Sequence, residues 1–234
     1  MSRWLRLRMR LDRLVAFVLL VLASPLLGVL ALAVHLHDGG PALITVPRVG
    51  RHGASLRMWK LRSMRPALLD GRAGGSPLTS GDDDRVTPLG RRLRALHLDE
   101  LPQLWNVVRG EMCLVGPRPE APELVDLEDQ RWRDVLRAPP AMAGPTQLLV
   151  GDWELERIAT APAGEAYVKE VLPVKLAIDR WYVREASPGL DAAVLAALIR
   201  SLVGAARSRN LHARVRREVP EAGALPEEAT SGRG

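Results

Sequence analysis

The most regular feature of the hydrophobic pattern is an unbroken apolar run near the N-terminus. Residues 14–34, LVAFVLLVLASPLLGVLALAV, contain no charged side chain. A helix of about 20 apolar residues is long enough to span a bilayer. A cleaved signal peptide would have a shorter apolar region, of about 7–15 residues. The run therefore predicts a membrane-embedded helix rather than a signal peptide.

Basic residues flank this run on both sides, and its middle contains Ser24-Pro25. Positive charge tends to remain on the cytoplasmic side, so a simple span would leave one flank misplaced. Pro25 has no amide hydrogen to donate to the carbonyl of Val21, and the Ser24 hydroxyl can bond a nearby carbonyl and ease the kink. From the residues alone, a re-entrant helix and an ordinary kinked span are equally good interpretations.

Two shorter apolar sets with helical spacing follow, and an acidic pair separates them. Thr87 suits the N-cap and Pro88 the first position of the earlier helix. Asp99 and Glu100 stand between the sets, and Asp99 is the predicted N-cap of the later helix, with Pro102 in its first turn. The two sets are Leu89, Leu93 and Leu96, and then Leu101, Leu104, Trp105 and Val108.

The remaining pattern divides the chain into three predicted parts. Residues 190–203 carry another apolar helical face, which fits either a helix in the membrane interface or a C-terminal core helix. Residues 71–84, GRAGGSPLTSGDDD, predict a flexible loop, and the aperiodic stretch from 206 onward predicts a mobile tail. The predicted parts are a basic flank with its membrane helix (1–37), a catalytic domain (38–205) and the tail (206–234).

Composition narrows the choice of partner without deciding it. The net charge of +6 and the isoelectric point near 10.3 favour a negatively charged partner, such as nucleic acid, anionic lipid or a nucleotide-like substrate. The 47% of hydrophobic residues is enough for a core. Cys113 is the single cysteine, which excludes an intrachain disulfide.

The stretch GEMCLVGPRPE, residues 110–120, contains the clearest candidate for anion binding. Pro117 and Pro119 restrict the backbone on both sides of Arg118, and a fixed guanidinium suits a phosphate. A rigid turn with a solvent-facing arginine is the alternative interpretation, just as Asp99 alone could be an ordinary acidic cap. Further basic residues upstream form an anion-binding set of low specificity: Arg48, Arg51, Lys60 and Arg62.

Taken together, these motifs resemble one family. The stretch DDDRVTPLGRRLRALHLDELPQLWNVVRGEMCLVGPRPE is similar to the signature of the bacterial sugar transferases, which are monotopic polyprenyl-phosphate phosphoglycosyl transferases. The resemblance runs from about Leu11 to about Val203 and includes the Ser-Pro break, PRVGRHG, WKLRSM and VKLAIDRWYV. It implies an α+β, mainly helical fold: an N-terminal re-entrant membrane helix and a small cytosolic catalytic domain with interfacial amphipathic helices, in the family's compact catalytic form.

The resemblance also implies an activity. Such enzymes move a sugar-1-phosphate from a nucleotide diphosphate sugar, usually a UDP-sugar, to a membrane polyprenyl phosphate such as undecaprenyl phosphate, and so initiate polysaccharide or glycoconjugate synthesis. Asp99 matches the nucleophile that forms a covalent aspartyl intermediate. Glu100 matches a supporting group, for metal coordination or proton handling. Mg²⁺ is the implied cofactor, with Asp99 and Glu100 as its ligands.

The other roles follow from the same resemblance. Ser24 and Pro25 are the expected membrane hinge. The expected location is the cytoplasmic face of the inner membrane. Membrane lipid is an expected partner and nucleic acid is not, while homo-oligomerisation is left open. The expected substrate-phosphate-binding residues are Arg118, Lys60, Arg62 and Arg85.

One region departs from the family pattern. Residues 139–154, PPAMAGPTQLLVGDWE, keep a glutamine, Gln147, but Gly151 precedes Asp152 where the family has Gly-Arg. This leaves the identity of the donor open, and it is the basis for an alternative function, a catalytically degenerate scaffold in the membrane. A membrane-anchored basic protein that binds nucleic acid or lipid would also fit the charge, but it gives no reason for Asp99-Glu100 beside GPRP.

Overall fold

The computed structural model describes residues 3–65, 84–160, 163–202 and 209–226. It is mainly helical with two small sheets, which confirms the predicted fold class at this level. The loop predicted over 71–84 lies outside the described residues, apart from Asp84. In chain order the helices and strands are α1 (Arg3–Asp38), β1 (Leu43–Val49), β2 (Ser55–Leu61), α2 (Pro88–Ala95), α3 (Gln103–Arg109), β3 (Cys113–Val115), α4 (Gln130–Val135), β4 (Ala141–Ala143), α5 (Pro145–Thr160), α6 (Ala163–Ala166), α7 (Leu172–Glu185), α8 (Pro188–Leu202) and α9 (Arg209–Glu218).

The strands form two separate pairs. β1 and β2 are an antiparallel hairpin whose register runs from Leu43 opposite Leu61 to Val49 opposite Ser55. β3 and β4 pair in parallel, with Cys113 opposite Ala141. Parallel strands need a long connection, and here it contains α4. This connection returns the chain to the side of β3.

The main core surrounds α7. Aromatic side chains from four helical segments fill it, and a π-helical turn, Tyr167–Val171, leads into α7. The large buried rings are Trp132, Trp153, Tyr167, Trp181 and Tyr182. Close packing of these rings accounts for much of the buried apolar area. A smaller cluster joins α1 to β2 and α3, through Ala16, Leu56, Met58, Leu104 and Val107.

The N-terminal helix α1 is continuous over its 36 residues, with Pro25 inside it. The Ser24 hydroxyl donates to the carbonyl of Val21 at 2.7 Å, which confirms the predicted side-chain bond at the proline. Apolar side chains along its second half are exposed, as shown by Leu22 at 71% and Leu36 at 74%. By length and composition, the stretch Trp4–Asp38 can cross a membrane. Such an uncovered apolar surface fits membrane association.

The N-terminal end of α1 is fixed to the globular part by buried polar contacts. The indole of Trp4 and the guanidinium of Arg8 each donate to Asp191 Oδ2 of α8 at 2.8 Å. Arg8 also donates to the Tyr182 hydroxyl at 2.5 Å, and that hydroxyl donates to Asp191. Because Arg8 is only 4% exposed and Asp191 5%, the two charges compensate each other, and Asp12 lies 3.6 Å from Arg8 as a second carboxylate.

The C-terminal end of α1 contacts the same globular part. Asp38 accepts from the guanidinium of Arg62, which directly follows β2. Gly40 makes room for this pair, because a Cβ there would lie 1.8 Å from Nη1 of Arg62. Both ends of the apolar helix therefore lie against the globular part.

The C-terminal region differs from its prediction. The buried face of α8, with Leu190, Val194 and Ala197, favours the core-helix interpretation of this segment. The prediction of a mobile tail is wrong for residues 209–226. These residues form α9 and a 3₁₀ turn, Pro220–Ala224, whose apolar side chains join the main core.

Replacing Asp191 with alanine tests the attachment of α1. The change leaves the buried Arg8 with only its longer ion pair to Asp12, at 3.6 Å, and removes the acceptor of Trp4 and Tyr182. We therefore expect it to lower the free energy of unfolding by about 3 kcal/mol. The measurement is unfolding of the detergent-solubilised protein, with Glu165→Gln as the control. Glu165 pairs with Lys169 at the surface, so the control should change stability by less than about 0.5 kcal/mol. Equal, small effects of both variants would contradict a stabilising role for the buried contacts.

Candidate active site

The acidic pair is positioned by the docking of α2 on the end of β2. Thr87 caps α2, as predicted, by accepting from the amide of Gly90 at 2.8 Å. The amide of Thr87 donates to the carbonyl of Ser63 at 3.1 Å. Gly90 is required for this approach, because a Cβ there would lie 1.9 Å from the Ser63 oxygen. The segment after α2 is thereby held beside β2 and its Lys60.

The prediction that Asp99 is the N-cap of the next helix is wrong. His97 adopts a left-handed conformation with φ of 54°, and Leu98–Glu100 form a 3₁₀ turn. Helix α3 begins only at Gln103, after Pro102. The Asp99 side chain is 5% exposed, lines the cleft, and accepts no hydrogen bond from the described residues. Its oxygens are therefore free for chemistry rather than used for capping.

Glu100 is held by two cations from distant parts of the chain. Lys60 Nζ donates to its Oε1 at 3.0 Å. Arg118 binds it with both terminal nitrogens, Nη2 to Oε1 at 2.8 Å and Nη1 to Oε2 at 3.0 Å. A forked pair of this kind fixes orientation as well as charge. Lys60 Nζ lies 3.8 Å from Asp99 Oδ2, so the same lysine contacts both carboxylates.

The two neighbouring carboxylates have opposite pKa shifts. Burial raises the pKa of Asp99, and the charge of Glu100 adds to this, while Lys60, Arg94 and His97 act against it. Burial alone would also raise the pKa of Glu100, but Arg118 and Lys60 outweigh it and hold that pKa well below its ordinary value. Glu100 therefore stays ionised and paired, whereas Asp99 is the less stabilised anion.

The fork of Arg118 is fixed, but not by its prolines alone. Its guanidinium donates to the carbonyl of Met142 in β4 as well as to Glu100. The pairing of β3 with β4 brings that carbonyl close. The rigid turn with a solvent-facing arginine, the alternative interpretation, is therefore wrong, because Arg118 faces the cleft and Glu100.

Two other predicted phosphate-binding residues do not join this group. Arg62 is buried and pairs with Asp38 at the end of α1. Arg85 lies in the turn before α2, where its carbonyl accepts from the Arg65 amide, and it is not among the residues that line the cleft. Of the predicted residues, the structure brings together Asp99, Glu100, Lys60 and Arg118. Ser24 and Pro25 lie in the middle of α1, within one continuous helix, and their role as a membrane hinge stays a prediction.

A second polar cluster adjoins Arg118 and was not predicted as part of the site. Lys175 Nζ lies 2.9 Å from Glu120 and 3.5 Å from Glu154. Tyr167 donates to Glu120 and accepts from Lys175, each at 2.8 Å. Burial raises the pKa of Asp179, one turn after Lys175, to about 8. The spacing of Lys175 and Asp179 on one helical face was the sequence signal that could have indicated this cluster. No local sequence pattern relates the two residues to Glu120.

The cleft in front of the pair has a volume of about 880 Å³. Its size matches that of small-molecule sites. One side is basic, with Lys60, Arg94 and Arg118. The lining also contains apolar side chains and two further carboxylates, Asp152 and Glu154. The altered segment 139–154 contributes Gln147, whose buried Oε1 has no partner among the described residues.

The acidic pair also fits a magnesium ion in part. Among the described residues, no group of three or more His, Cys, Asp or Glu side chains can share an ion. Mg²⁺ often uses only one or two carboxylates and takes its other ligands from phosphates and water. The uncommitted Asp99 oxygens fit that pattern, whereas both oxygens of Glu100 already accept from cations.

Comparison with known proteins identifies the family. The sequence model described as "Bacterial sugar transferase" matches residues 3–205. The chain belongs to the bacterial sugar transferase family. This membership confirms the resemblance drawn from the LDELPQLWN and GPRP motifs.

Relatives of this sugar transferase have related names. It is 37% identical over 202 residues to an undecaprenyl-phosphate glucose phosphotransferase of Komagataeibacter xylinus, covering 83% of this chain and 36% of the relative. It is 31% identical over 198 residues to a UDP-N-acetylgalactosamine-undecaprenyl-phosphate N-acetylgalactosaminephosphotransferase of Aeromonas hydrophila, covering 82% and 43%. It is 47% identical over 116 residues to a UDP-glucose:undecaprenyl-phosphate glucose-1-phosphate transferase of Caulobacter vibrioides, covering 47% and 40%. The chain thus spans less than half the length of these relatives.

The charges that act on the pKa of Asp99 can be tested by removing them one at a time. Lys60→Gln removes a charge that lowers the pKa of Asp99, so that pKa should rise further. Glu100→Gln removes a charge that raises it, so the pKa should fall. The measurement is the carbon-13 shift of the Asp99 carboxyl group against pH, assigned by its loss in Asp99→Asn. Shifts in the same direction in both variants would contradict the arrangement described.

Proposed function

We propose that the protein is a phosphoglycosyl transferase that moves a sugar-1-phosphate from a UDP-sugar to undecaprenyl phosphate. The observation that carries this proposal is the buried, uncommitted Asp99 beside a Glu100 fixed by Lys60 and Arg118. An anionic nucleophile must approach an anionic diphosphate, so it needs fixed cations beside it. The names of the relatives support the donor and acceptor classes.

In the first step, an Asp99 carboxylate oxygen attacks the phosphorus that carries the sugar. A bond forms between this oxygen and the phosphorus, while the bond from phosphorus to the bridging oxygen breaks. Nucleoside monophosphate leaves with the electron pair. The raised pKa of Asp99 reflects an anion that is poorly stabilised by its surroundings, which suits a nucleophile.

In the second step, a phosphate oxygen of undecaprenyl phosphate attacks the same phosphorus. The bond to Asp99 breaks, the carboxylate is restored, and the product is a lipid diphosphate sugar. Covalent catalysis thereby separates the soluble donor from the lipid acceptor in time. Each substrate can then use the same cations in turn.

The cationic side chains and the proposed Mg²⁺ together neutralise the charge of the substrate phosphates. Mg²⁺ would be held by Asp99 with the donor phosphates, and it would supply Lewis-acid stabilisation of the phosphoryl oxygens. We assign Glu100 chiefly to positioning, because its oxygens hold Lys60 and Arg118. Arg94 lines the same cleft and has no ion pair among the described residues, so it is a further candidate phosphate contact.

Replacing the nucleophile tests the chemistry. Asp99→Asn should lower the release of nucleoside monophosphate from UDP-sugars by about a thousandfold or more. In the parent, donor and magnesium without acceptor should add one sugar phosphate to Asp99, as seen by mass spectrometry of the peptide. Asp126→Asn, at an exposed loop carboxylate, is the matched control and should keep full activity. Turnover by the Asp99→Asn variant would overturn the assignment. A parent inactive with every UDP-sugar would favour the scaffold.

We also infer that α1 is re-entrant and that the cleft faces the cytoplasm at the inner membrane. A straight helix of 36 residues would be about 54 Å long. A membrane-spanning helix places its two ends on opposite sides of a hydrocarbon core of about 30 Å. Here Trp4 and Arg8 contact Asp191 at one end, and Asp38 contacts Arg62 at the other. Contacts of both ends with one globular part support entry and exit on the same side.

Cysteine labelling tests this topology. Single cysteines at Ser2 and Glu128, in a Cys113→Ser background, should resist a membrane-impermeant thiol reagent in intact cells and react after permeabilisation. Replacing Ser24 and Pro25 with Ala and Leu should make the Ser2 site reactive in intact cells, because an unbroken helix favours a span. Labelling of the Ser2 site in intact cells of the parent would contradict the re-entrant arrangement.

A further inference from the structure

The C-terminal segment, residues 209–226, lies beyond the family match, which ends at residue 205. It is nevertheless built into the core. Its apolar residues follow a spacing of three or four positions and are almost completely buried: Leu211, Val215, Val219, Ala222 and Leu225. A segment that buries one side chain per turn is a structural part of the domain.

Polar contacts fix the orientation of this segment on α7. The indole of Trp181 donates to Glu218 at 2.8 Å. The guanidinium of Arg214 lies over the Trp181 ring, 5.3 Å from its centre, and pairs with Glu218 at 3.1 Å. A cation on an aromatic face and a shared carboxylate restrict both sliding and rotation of α9.

This orientation places Leu211 at the cleft. Leu211 is 4% exposed and lines the same cavity as Asp99, Lys60 and Arg118. Ala197, Leu198 and Ser201 of α8 lie along the cavity as well. The remaining buried residues of the segment, such as Leu225, do not line it. Leu211 is thus the point at which the C-terminal segment meets the cleft.

We propose that Leu211 is a specificity-determining residue, and that the C-terminal segment forms the wall against which the uncharged part of the nucleotide-sugar donor packs. This inference rests on the proposed function. The cations that line the cleft, Lys60, Arg94 and Arg118, suit the negatively charged diphosphate. The apolar side chains of the lining, Leu211 with Ala197 and Leu198, suit the C–H faces of the sugar or the ring of the nucleoside.

The physical consequence is a limit on size. A leucine side chain at the wall excludes donor atoms that would overlap it, and its removal opens space without touching the cations. One methylene group in an apolar pocket changes discrimination by about tenfold or more. The wall should therefore affect the choice of donor more than the rate of the chemical step.

The test compares Leu211→Ala, Leu211→Trp and the control Leu225→Ala, using kcat and KM for UDP-glucose and UDP-N-acetylgalactosamine. Leu211→Ala should change the ratio of kcat/KM between the two donors by about tenfold. Leu211→Trp should shift that ratio in the opposite direction. Inhibition by UMP is measured in parallel. A change in the ratio identifies the sugar as the group at the wall, and an equal change for both donors together with weaker UMP inhibition identifies the nucleoside.

The control separates specificity from stability. Leu225→Ala removes the same atoms from the same segment, so it should lower thermal stability to a similar degree with the donor ratio unchanged. Equal behaviour of Leu211→Ala and Leu225→Ala, or an effect on the KM of undecaprenyl phosphate alone, would overturn the inference. A parent that releases no nucleoside monophosphate from any donor would instead overturn the proposed function. Binding of UMP to the parent and the variants, measured without a sugar donor, would then still test whether Leu211 contacts the nucleoside.

Discussion

The arrangement of the site depends on one partly buried interaction, the ion pairs of Lys60 and Arg118 with Glu100. It joins the end of β2, the 3₁₀ turn after α2 and the segment after β3. Partly burying three charges has a cost, and their mutual attraction offsets that cost only when the geometry is good and the hydrogen bonds are complete. Both Glu100 oxygens are paired, so the three segments have little freedom to separate. This constraint fixes the position of Asp99, the preceding residue.

The same interaction distinguishes the two carboxylates. Glu100 uses the available cations, and its pKa is low because of them. Burial leaves the pKa of Asp99 raised, because Asp99 has no cation within hydrogen-bond distance among the described residues and Lys60 Nζ lies 3.8 Å away. Adjacent carboxylates whose environments separate their pKa values commonly have different roles. The proposed division, with Asp99 as nucleophile and Glu100 as the positioning residue, follows from this difference.

The sequence allowed prediction where the cause is local. The cap of Thr87 and the bond from Ser24 to Val21 each involve residues three positions apart, and both are confirmed. The partners of Glu100 lie 40 and 18 positions away, so only the family resemblance could group them. Arg62 was assigned to the site from its positive charge and the family resemblance, but β2 ends at Leu61 and Arg62 pairs with Asp38. In α9, the apolar spacing was present but was obscured by the many arginines between its members.

Helix α1 contacts the two chain segments that carry Lys60 and Arg118. Near the N-terminal end of α1, the side chain of Asp12 accepts from the amide of Leu114 in β3 at 3.0 Å. Arg118 follows four residues after Leu114, beyond the end of β3. At the other end, Asp38 holds Arg62, two residues after Lys60. Each cation that grips Glu100 therefore lies on a segment attached to one end of α1. These contacts link the two ends of α1 to the two segments that hold Glu100, and the re-entrant path proposed for α1 would keep both links on one side of the membrane.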